Sequence, residues 1–260
     1  MRPVDKLRWA VVIPARFGST RFPGKVLAPL HGKPWLQWVY ESVTGVGASP
    51  GAPDQVIVAT GDQTVYDAVV RFGGRVFRTS PDHRTGSDRC SEVAQTLDAD
   101  GVVNLQADEI LLDPGILNEV VAPFVDDASL VMATLKREID SAEEIFDPNV
   151  VKVVTDHRGD ALYFSRAPIP YPRGAKNDEI PAKTYYKHLG IYAFRREFLL
   201  GYPDLPFSNL EDREGLEQLR ALTAGVRIRV VETRRETLRV DTREDLEKIQ
   251  GLPNLMAERR

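Results

Sequence analysis

Trp9-Ala-Val-Val-Ile-Pro-Ala15 and the segment behind it, Arg16-Phe-Gly-Ser-Thr-Arg-Phe-Pro-Gly-Lys25, carry the reading of the fold. The first reads as a buried strand: short, apolar, partly β-branched and stopped by Pro14. The second reads as a loop that runs on to about Lys33. Its small residues let backbone N–H groups approach an anion, and Arg16, Arg21 and Lys25 are spaced to converge on one. It is not a Walker A loop, because Gly18 and Gly24-Lys25 are five residues apart and Val26 stands where Ser or Thr would hold magnesium. Taken alone, the loop is also open to reading as a solvated surface segment.

Working outward, the strand–helix rhythm repeats. Pro34 is expected to open a helix with Trp35, Trp38, Val39 and Ser42 on one face. Gln55–Thr60 reads as a strand, and Asp62 as the cap of a helix carrying Val65, Ala68, Val69 and Phe72. A short strand at Arg75–Arg78, a helix from about Ser87 to Leu97 and a strand at Gly101–Gln106 follow. Asp113-Pro114 is expected to begin the next helix. This order predicts an α/β fold with an open, mostly parallel Rossmann-like sheet and helices on both faces. Ligands of such folds bind outside the carboxyl ends of the strands.

From about Ser129 the rhythm changes to strand-like runs at Leu130–Leu135, Val150–Thr155, Ala161–Phe164 and Leu189–Phe194. We read 129–204 as a β-rich inserted lobe and candidate dimerisation surface, and 1–128 with 205–260 as the α/β core. A helix over Glu211–Ala224, strands at Val226–Val231 and Thr237–Val240, and a helix opened by Thr242-Arg-Glu-Asp245 complete the chain.

The composition narrows the function classes. There are 260 residues, with 34 Lys+Arg against 38 Asp+Glu, so the net charge is −4. Mild acidity argues against general nucleic-acid binding, which needs a broad basic surface. Yet Lys6 to Tyr40 contains no acid and six cations, which points to a small anionic ligand. The single Cys90 excludes a disulfide framework. No apolar run is long enough to span a bilayer and the N-terminus has no signal-peptide pattern, so a cytoplasmic location is expected.

Asp108-Glu109 follows one strand and Asp241 another, and carboxylates at strand ends can hold Mg²⁺ with substrate phosphates completing its shell. Each acid alone is equally open to reading as a turn or cap residue. Asp98-Ala-Asp100 lies before its strand, at the wrong end of the sheet, and reads as a turn. His188 starts an apolar strand, and Cys90 reads as a small core residue. Nothing suggests a covalent nucleophile.

The chain resembles the cytidylyltransferases that activate 3-deoxy-manno-octulosonate (Kdo), nearly end to end. The matching blocks are Ile13–Lys25, Asp82-His-Arg-Thr-Gly-Ser-Asp-Arg89, Asn104-Leu-Gln-Ala-Asp-Glu109, Tyr163-Phe-Ser-Arg-Ala-Pro-Ile-Pro170, His188-Leu-Gly-Ile-Tyr192, Leu216-Glu-Gln-Leu-Arg220 and Val240-Asp-Thr-Arg-Glu-Asp-Leu246. The first marks the wider nucleotidyltransferase superfamily; those around Arg166, His188 and Gln218 are more specific to the Kdo branch.

The resemblance implies that CTP and Kdo give CMP-Kdo and pyrophosphate with Mg²⁺, in lipopolysaccharide inner-core synthesis, by a homodimer. It implies that Arg16 and Lys25 hold the triphosphate, with Ala15, Gly18 and Ser19 supplying backbone contacts. Thr85, Gly86, Ser87 and Arg89 would shape the cytidine pocket, with Gln106 nearby. Asp108 and Asp241 would be metal ligands, and with Arg16 and Lys25 the catalytic set. Arg21, Arg166, His188, Tyr192, Glu217 and Gln218 would face the sugar acid.

Two positions depart from the family pattern Gln-Gly-Asp-Glu-Pro: Ala107 and Ile110. Either a negative φ accommodates the Ala107 methyl without effect, or the methyl reshapes the sugar pocket toward an 8-amino analogue of Kdo or another ulosonic acid. The competing readings are a transferase for a sialic-acid-like sugar, a non-catalytic sugar-nucleotide-binding protein and a nucleotide-sugar glycosyltransferase. Retention of Lys25, Asp108 and Asp241 together favours an active enzyme.

Overall fold

The computed structural model describes residues 7–18, 21–44, 53–173 and 184–252. β1 (Trp9–Pro14) is buried along its whole length. Trp9, Val11 and Ile13 join one apolar cluster, and Ala10 and Val12 join another. Successive strand residues alternate sides, so the clusters are the two layers of core on either face of the sheet. A strand covered on both faces reads as an unbroken apolar run.

The loop after β1 contains one 3-10 turn at Lys25–Leu27, then a hairpin of β2 (Pro29–Leu30) with β3 (Lys33–Pro34). Pro34 therefore closes a hairpin, and α1 (Trp35–Thr44) starts one residue later than expected. Its core face is Trp35, Leu36, Val39, Ser42 and Val43. Trp38 is only half-buried and donates from Nε1 to Leu30 O at 2.8 Å.

β4 (Gln55–Thr60), α2 (Gln63–Arg71), β5 (Val76–Arg78), α3 (Gly86–Ala94) and β6 (Gly101–Leu105) continue the alternation. β1 pairs in parallel with β4 on one side and β6 on the other, and β4 pairs with β5. The chain thus runs outward from β1 to β5 and returns to β1's other side. That reversal opens a crevice at the carboxyl ends of β1 and β6. Asp62 occupies the N-cap position of α2, but its carboxylate accepts from Phe17 N at 2.8 Å and so braces the loop after β1.

β7 (Glu109–Leu111) follows, then α4 (Ile116–Val121) and α5 (Pro123–Asp126). Asp113-Pro114 precedes α4: Asp113 Oδ1 accepts from Gly115 N at 2.8 Å in a tight turn. β8 (Met132–Glu138), α6 (Ala142–Phe146), β9 (Lys152–Thr155), β10 (Ala161–Ser165) and β11 (Tyr186–Arg195) come next. β11 pairs antiparallel with β6, β8 and β9, so the strands of 129–204 continue the core sheet.

After α7 (Arg196–Leu200), the expected single helix is two, α8 (Asn209–Glu214) and α9 (Gln218–Thr223). Gly215 at φ 62° breaks them apart, a backbone state that favours glycine. β12 (Ile228–Glu232) pairs with β8, giving nine strands among the described residues. β13 (Thr237–Arg239) pairs with β7, and Val240 N donates to Asp108 O at 3.1 Å. This small ladder carries Asp241 to Asp108. α10 (Arg243–Gln250) starts on the expected capping box of Thr242 and Asp245.

Candidate active site

A cleft of about 460 Å³ opens over the carboxyl ends of β1 and β6. β1 delivers Ala15 and the exposed Arg16 to its wall; Gly18 is also exposed, and Ser19 lies outside the described residues. α3 points its N-terminus at the cleft, with Thr85 capping it through Asp88. Gly86 is closely packed: a Cβ there would lie 3.0 Å from Gln106 Nε2 and 3.2 Å from Pro14 Cγ, so those side chains would have to give by a few tenths of an ångström. Such an N-terminus favours an anion or an electron-rich group. Arg89 is buried behind it, donating to Ser80 O at 3.0 Å and to Thr79 Oγ1.

Two residues that line the cleft, Asp108 and Arg239, belong to an ion cluster. Lys25 Nζ lies 3.2 Å from Asp108 Oδ2 and 3.4 Å from Asp241 Oδ1. Arg21 reaches Asp241 Oδ1 at 3.0 Å. Arg239, which sequence reasoning missed, reaches Asp241 Oδ2 at 3.1 Å and Asp108 at 4.0 Å. Its one legible signal was its place two residues before Asp241. Burial acts to raise the Asp108 carboxyl, but Arg239 and Lys25 outweigh it and hold it below its ordinary range. Burial pushes neighbouring Glu109 up to about 7, with Asp108 adding and Arg239 opposing.

The donor chemistry suits a hard cation. Two carboxylates share one ammonium, and among the described residues no third His, Cys, Asp or Glu completes a protein-only metal site. Mg²⁺ commonly takes one or two carboxylates and leaves its other positions to phosphate and water.

Six residues were expected on the sugar side. Arg166 is fixed by Glu214 O to its Nε at 2.6 Å and Pro148 O to its Nη1 at 2.8 Å. His188 Nε2 is 2.9 Å from Thr134 Oγ1, which is itself 2.7 Å from Ile191 O. The hydroxyl's one proton goes to that carbonyl, so Nε2–H donates to Thr134 and Nδ1 is left an acceptor. Burial, helped by Arg239, drives His188 down to about 3, so the ring is neutral.

Tyr192 donates to Gln218 Oε1 at 2.9 Å, leaving Gln218 Nε2 buried without a partner. An unmet buried donor in a cleft wall is a natural contact for a ligand hydroxyl or carboxylate. Glu217 faces the other way: it accepts from Ser87 N at 3.2 Å and Ser87 Oγ at 3.1 Å, so it braces the α3 end. Arg21 pairs with Asp241. Most of the candidate residues line the one cleft; Arg21, Lys25, Ser87 and Asp241 do not line it but are tied to one another or to lining residues, and Gly18 lies on the exposed loop after β1. Glu214 and Thr134 were missed because their partners lie far away in sequence.

The other motifs fall elsewhere. Cys90 is buried in the core. Asp98 and Asp100 both bind Arg8 at the opposite end of the sheet. At Ala107, φ is outside the left-handed region; His31 is the one non-glycine residue there among the described residues. Ala107 joins the apolar cluster containing Trp35, whose Nε1 donates to Ala107 O at 2.9 Å. Its methyl is accommodated and does not line the cleft.

Comparison with known proteins agrees with this geometry. The family model described as cytidylyltransferase matches residues 10–228. A 3-deoxy-manno-octulosonate cytidylyltransferase of Solibacter usitatus (strain Ellin6076) is 52% identical over 241 residues, covering 93% of this chain and 92% of that protein. One of the same description from Geobacter metallireducens is 50% identical, covering 94% and 96%. A solved structure of a CMP:2-keto-3-deoxy-manno-octonic acid synthetase complexed with CTP superposes with a TM-score of 0.84 at 44% identity, covering 97% of this chain and all of that one. The chain therefore belongs to the cytidylyltransferase family, in the branch of the 3-deoxy-manno-octulosonate cytidylyltransferases.

Proposed function

We propose that the protein transfers a cytidylyl group from CTP to Kdo, giving CMP-Kdo and pyrophosphate. The observation that supports this reading is the one cleft that Arg16, Asp108, Arg166, His188 and Gln218 line together, in a chain about half identical to enzymes of that description. The anomeric hydroxyl oxygen forms a bond to the α-phosphorus, the bond from that phosphorus to the bridging oxygen breaks, and pyrophosphate leaves. The hydroxyl proton passes to solvent.

Such a displacement needs alignment and charge neutralisation more than a covalent intermediate. Arg16 and Lys25 hold the triphosphate and offset charge gathering on the leaving pyrophosphate. Ala15, Gly18 and the Thr85–Ser87 turn approach the nucleotide with backbone groups, and Arg89 and Gln106 back the base. Arg21 and Arg166 take the sugar carboxylate. Neutral His188 accepts from a sugar hydroxyl, and Gln218 donates to one. Asp108 and Asp241 are the residues that would hold Mg²⁺. When bound, that ion would neutralise phosphate charge and lower the pKa of a coordinated hydroxyl.

The protein acts as a homodimer in the cytoplasm, supplying lipopolysaccharide inner-core synthesis. Support for a dimer comes from Leu162 and Tyr171, large exposed side chains on and just past edge strand β10. Light scattering of the purified protein tests it. No helix among the described residues is long and apolar enough to cross a membrane. The test of the activity is Mg²⁺-dependent pyrophosphate release from CTP with Kdo, its 8-amino analogue and a sialic acid as separate acceptors. Release with Kdo is expected; release with another acceptor alone reassigns the sugar, and silence with all three overturns the reading.

A further inference from the structure

We propose that Lys152 is a positioning residue for the sugar-acid half of the cleft, acting through the turn 147–150 without touching substrate. The inference rests on the reading that Arg21 and Arg166 take the sugar carboxylate.

Lys152 opens β9 and is fully buried, at 0% exposure. Its Nζ donates to Asp147 O at 2.8 Å and to Val150 O at 2.5 Å. A buried ammonium is costly unless several hydrogen bonds satisfy it. Here both acceptors are carbonyls at the two ends of one turn. Among the described residues no salt bridge forms at this ammonium, so its charge is used to shape backbone. Asp147 O also accepts from Val150 N at 3.1 Å, and Asp147 Oδ1 from Asn149 N at 2.8 Å, which closes the turn.

The two residues inside that turn are the ones that hold the arginines. Pro148 O accepts from Arg166 Nη1 at 2.8 Å, and Asn149 Oδ1 accepts from Arg21 Nη1. Each arginine has a second anchor elsewhere: Glu214 for Arg166, Asp241 for Arg21. One buried ammonium therefore sets the shared side of both guanidinium groups. Bidentate recognition of a carboxylate tolerates misplacement of only about 0.5 Å. An apolar side chain would fill the same volume with less desolvation cost but would take its donor from Val150 O, leave Asp147 O with only the bond from Val150 N, and loosen the turn.

The experiment compares wild-type protein with Lys152→Met by initial rates of pyrophosphate release, varying CTP and Kdo separately. The variant is expected to raise KM for the sugar acid about tenfold while KM for CTP stays within about twofold. A merely structural role would lower the active fraction, and so apparent kcat, and move neither KM. An unchanged sugar-acid KM in folded variant, or an equal rise in both KM values, overturns the proposal. If Lys152→Met fails to fold, Asn149→Ala decides, because Asn149 is exposed and its side chain anchors Arg21. It is expected to raise the sugar-acid KM severalfold and leave that for CTP unchanged; no change overturns the proposal. The wild-type rate separates the two levels: wild-type silence removes the underlying reading and this inference with it, whereas active wild type beside an unaffected variant removes the inference alone.

Discussion

Lys25 Nζ stands 3.2 Å from Asp108 Oδ2, a contact between residues 83 apart in sequence, and the same ammonium is 3.4 Å from Asp241. With Arg21 and Arg239 it is one of three cations that let the two carboxylates stand together before any substrate binds. Lys25→Met removes the one ammonium hydrogen-bonded to both acids and, on the proposed reading, a triphosphate contact. Turnover is expected to fall by at least about 100-fold, from loss of electrostatic stabilisation. Added Mg²⁺ should raise the melting temperature of Lys25→Met more than that of the wild type, because the ion then replaces the missing charge. Scanning calorimetry with and without Mg²⁺ checks this.

Asp108→Asn keeps the shape of the side chain and removes its charge. Turnover should drop by orders of magnitude while circular dichroism stays that of the parent protein. Near-normal turnover of this variant at saturating Mg²⁺ would remove Asp108 from the ligand set.

Glu109 is the buried neighbour whose pKa rises from its ordinary value near 4.5 to about 7. A folded-state pKa above the unfolded one means that the folded protein binds the proton more tightly. Stability from this group is full below pH 4.5 and is lost as pH rises through 7. The loss is bounded at about 3 kcal/mol, using about 1.4 kcal/mol per pKa unit. Glu109→Gln retains an acceptor for Thr237 and should flatten the fall in stability between pH 4.5 and 7, as read by urea unfolding across that window.

His188 has the opposite sign. Its pKa falls from 6.5 to about 3, so its contribution is present above pH 6.5 and is lost as pH falls toward 3. Thr134→Val removes the hydroxyl that fixes the ring and leaves Nε2–H unpaired. The expected cost is about 1–3 kcal/mol. The sugar-acid KM should rise with it, because Nδ1 no longer holds its acceptor orientation.

Ala107→Gly tests the departure beside Asp108. The methyl is packed in the apolar layer away from the cleft wall. Sugar preference should therefore be unchanged, and stability should fall by about 0.5–1 kcal/mol from backbone entropy and lost packing. A changed ratio of rates with Kdo and its 8-amino analogue would show that the methyl tunes the sugar pocket.

Much of the fold was legible because its cause is local. The apolar run Trp9–Ile13, the Thr242 capping box and the strand–helix alternation up to Leu105 depend on residues close in sequence. Two misplaced boundaries are local as well: Pro34 pairs with Pro29 in a hairpin, and Gly215 ends a helix by its own left-handed φ. The tertiary departure is Asp62, whose carboxylate turns from its helix to Phe17.

The site divides in the same way. Residue order alone located the Gly/Ser loop after β1 and the acids at strand ends, and identified the family. Which charges meet was decided by pairing across the sheet. The β7–β13 ladder sets Asp241 beside Asp108 and brings in Arg239, and the β9 turn holds Arg21 and Arg166. A charged side chain's partner depends on distance in space, and periodicity along the chain carries no record of it. The sequence by itself determined the kind of chemistry, through the residue types that follow each strand. Only the tertiary structure decided the electrostatics, because burial and neighbouring charge lift Glu109, lower His188 and bind Lys25 between two acids.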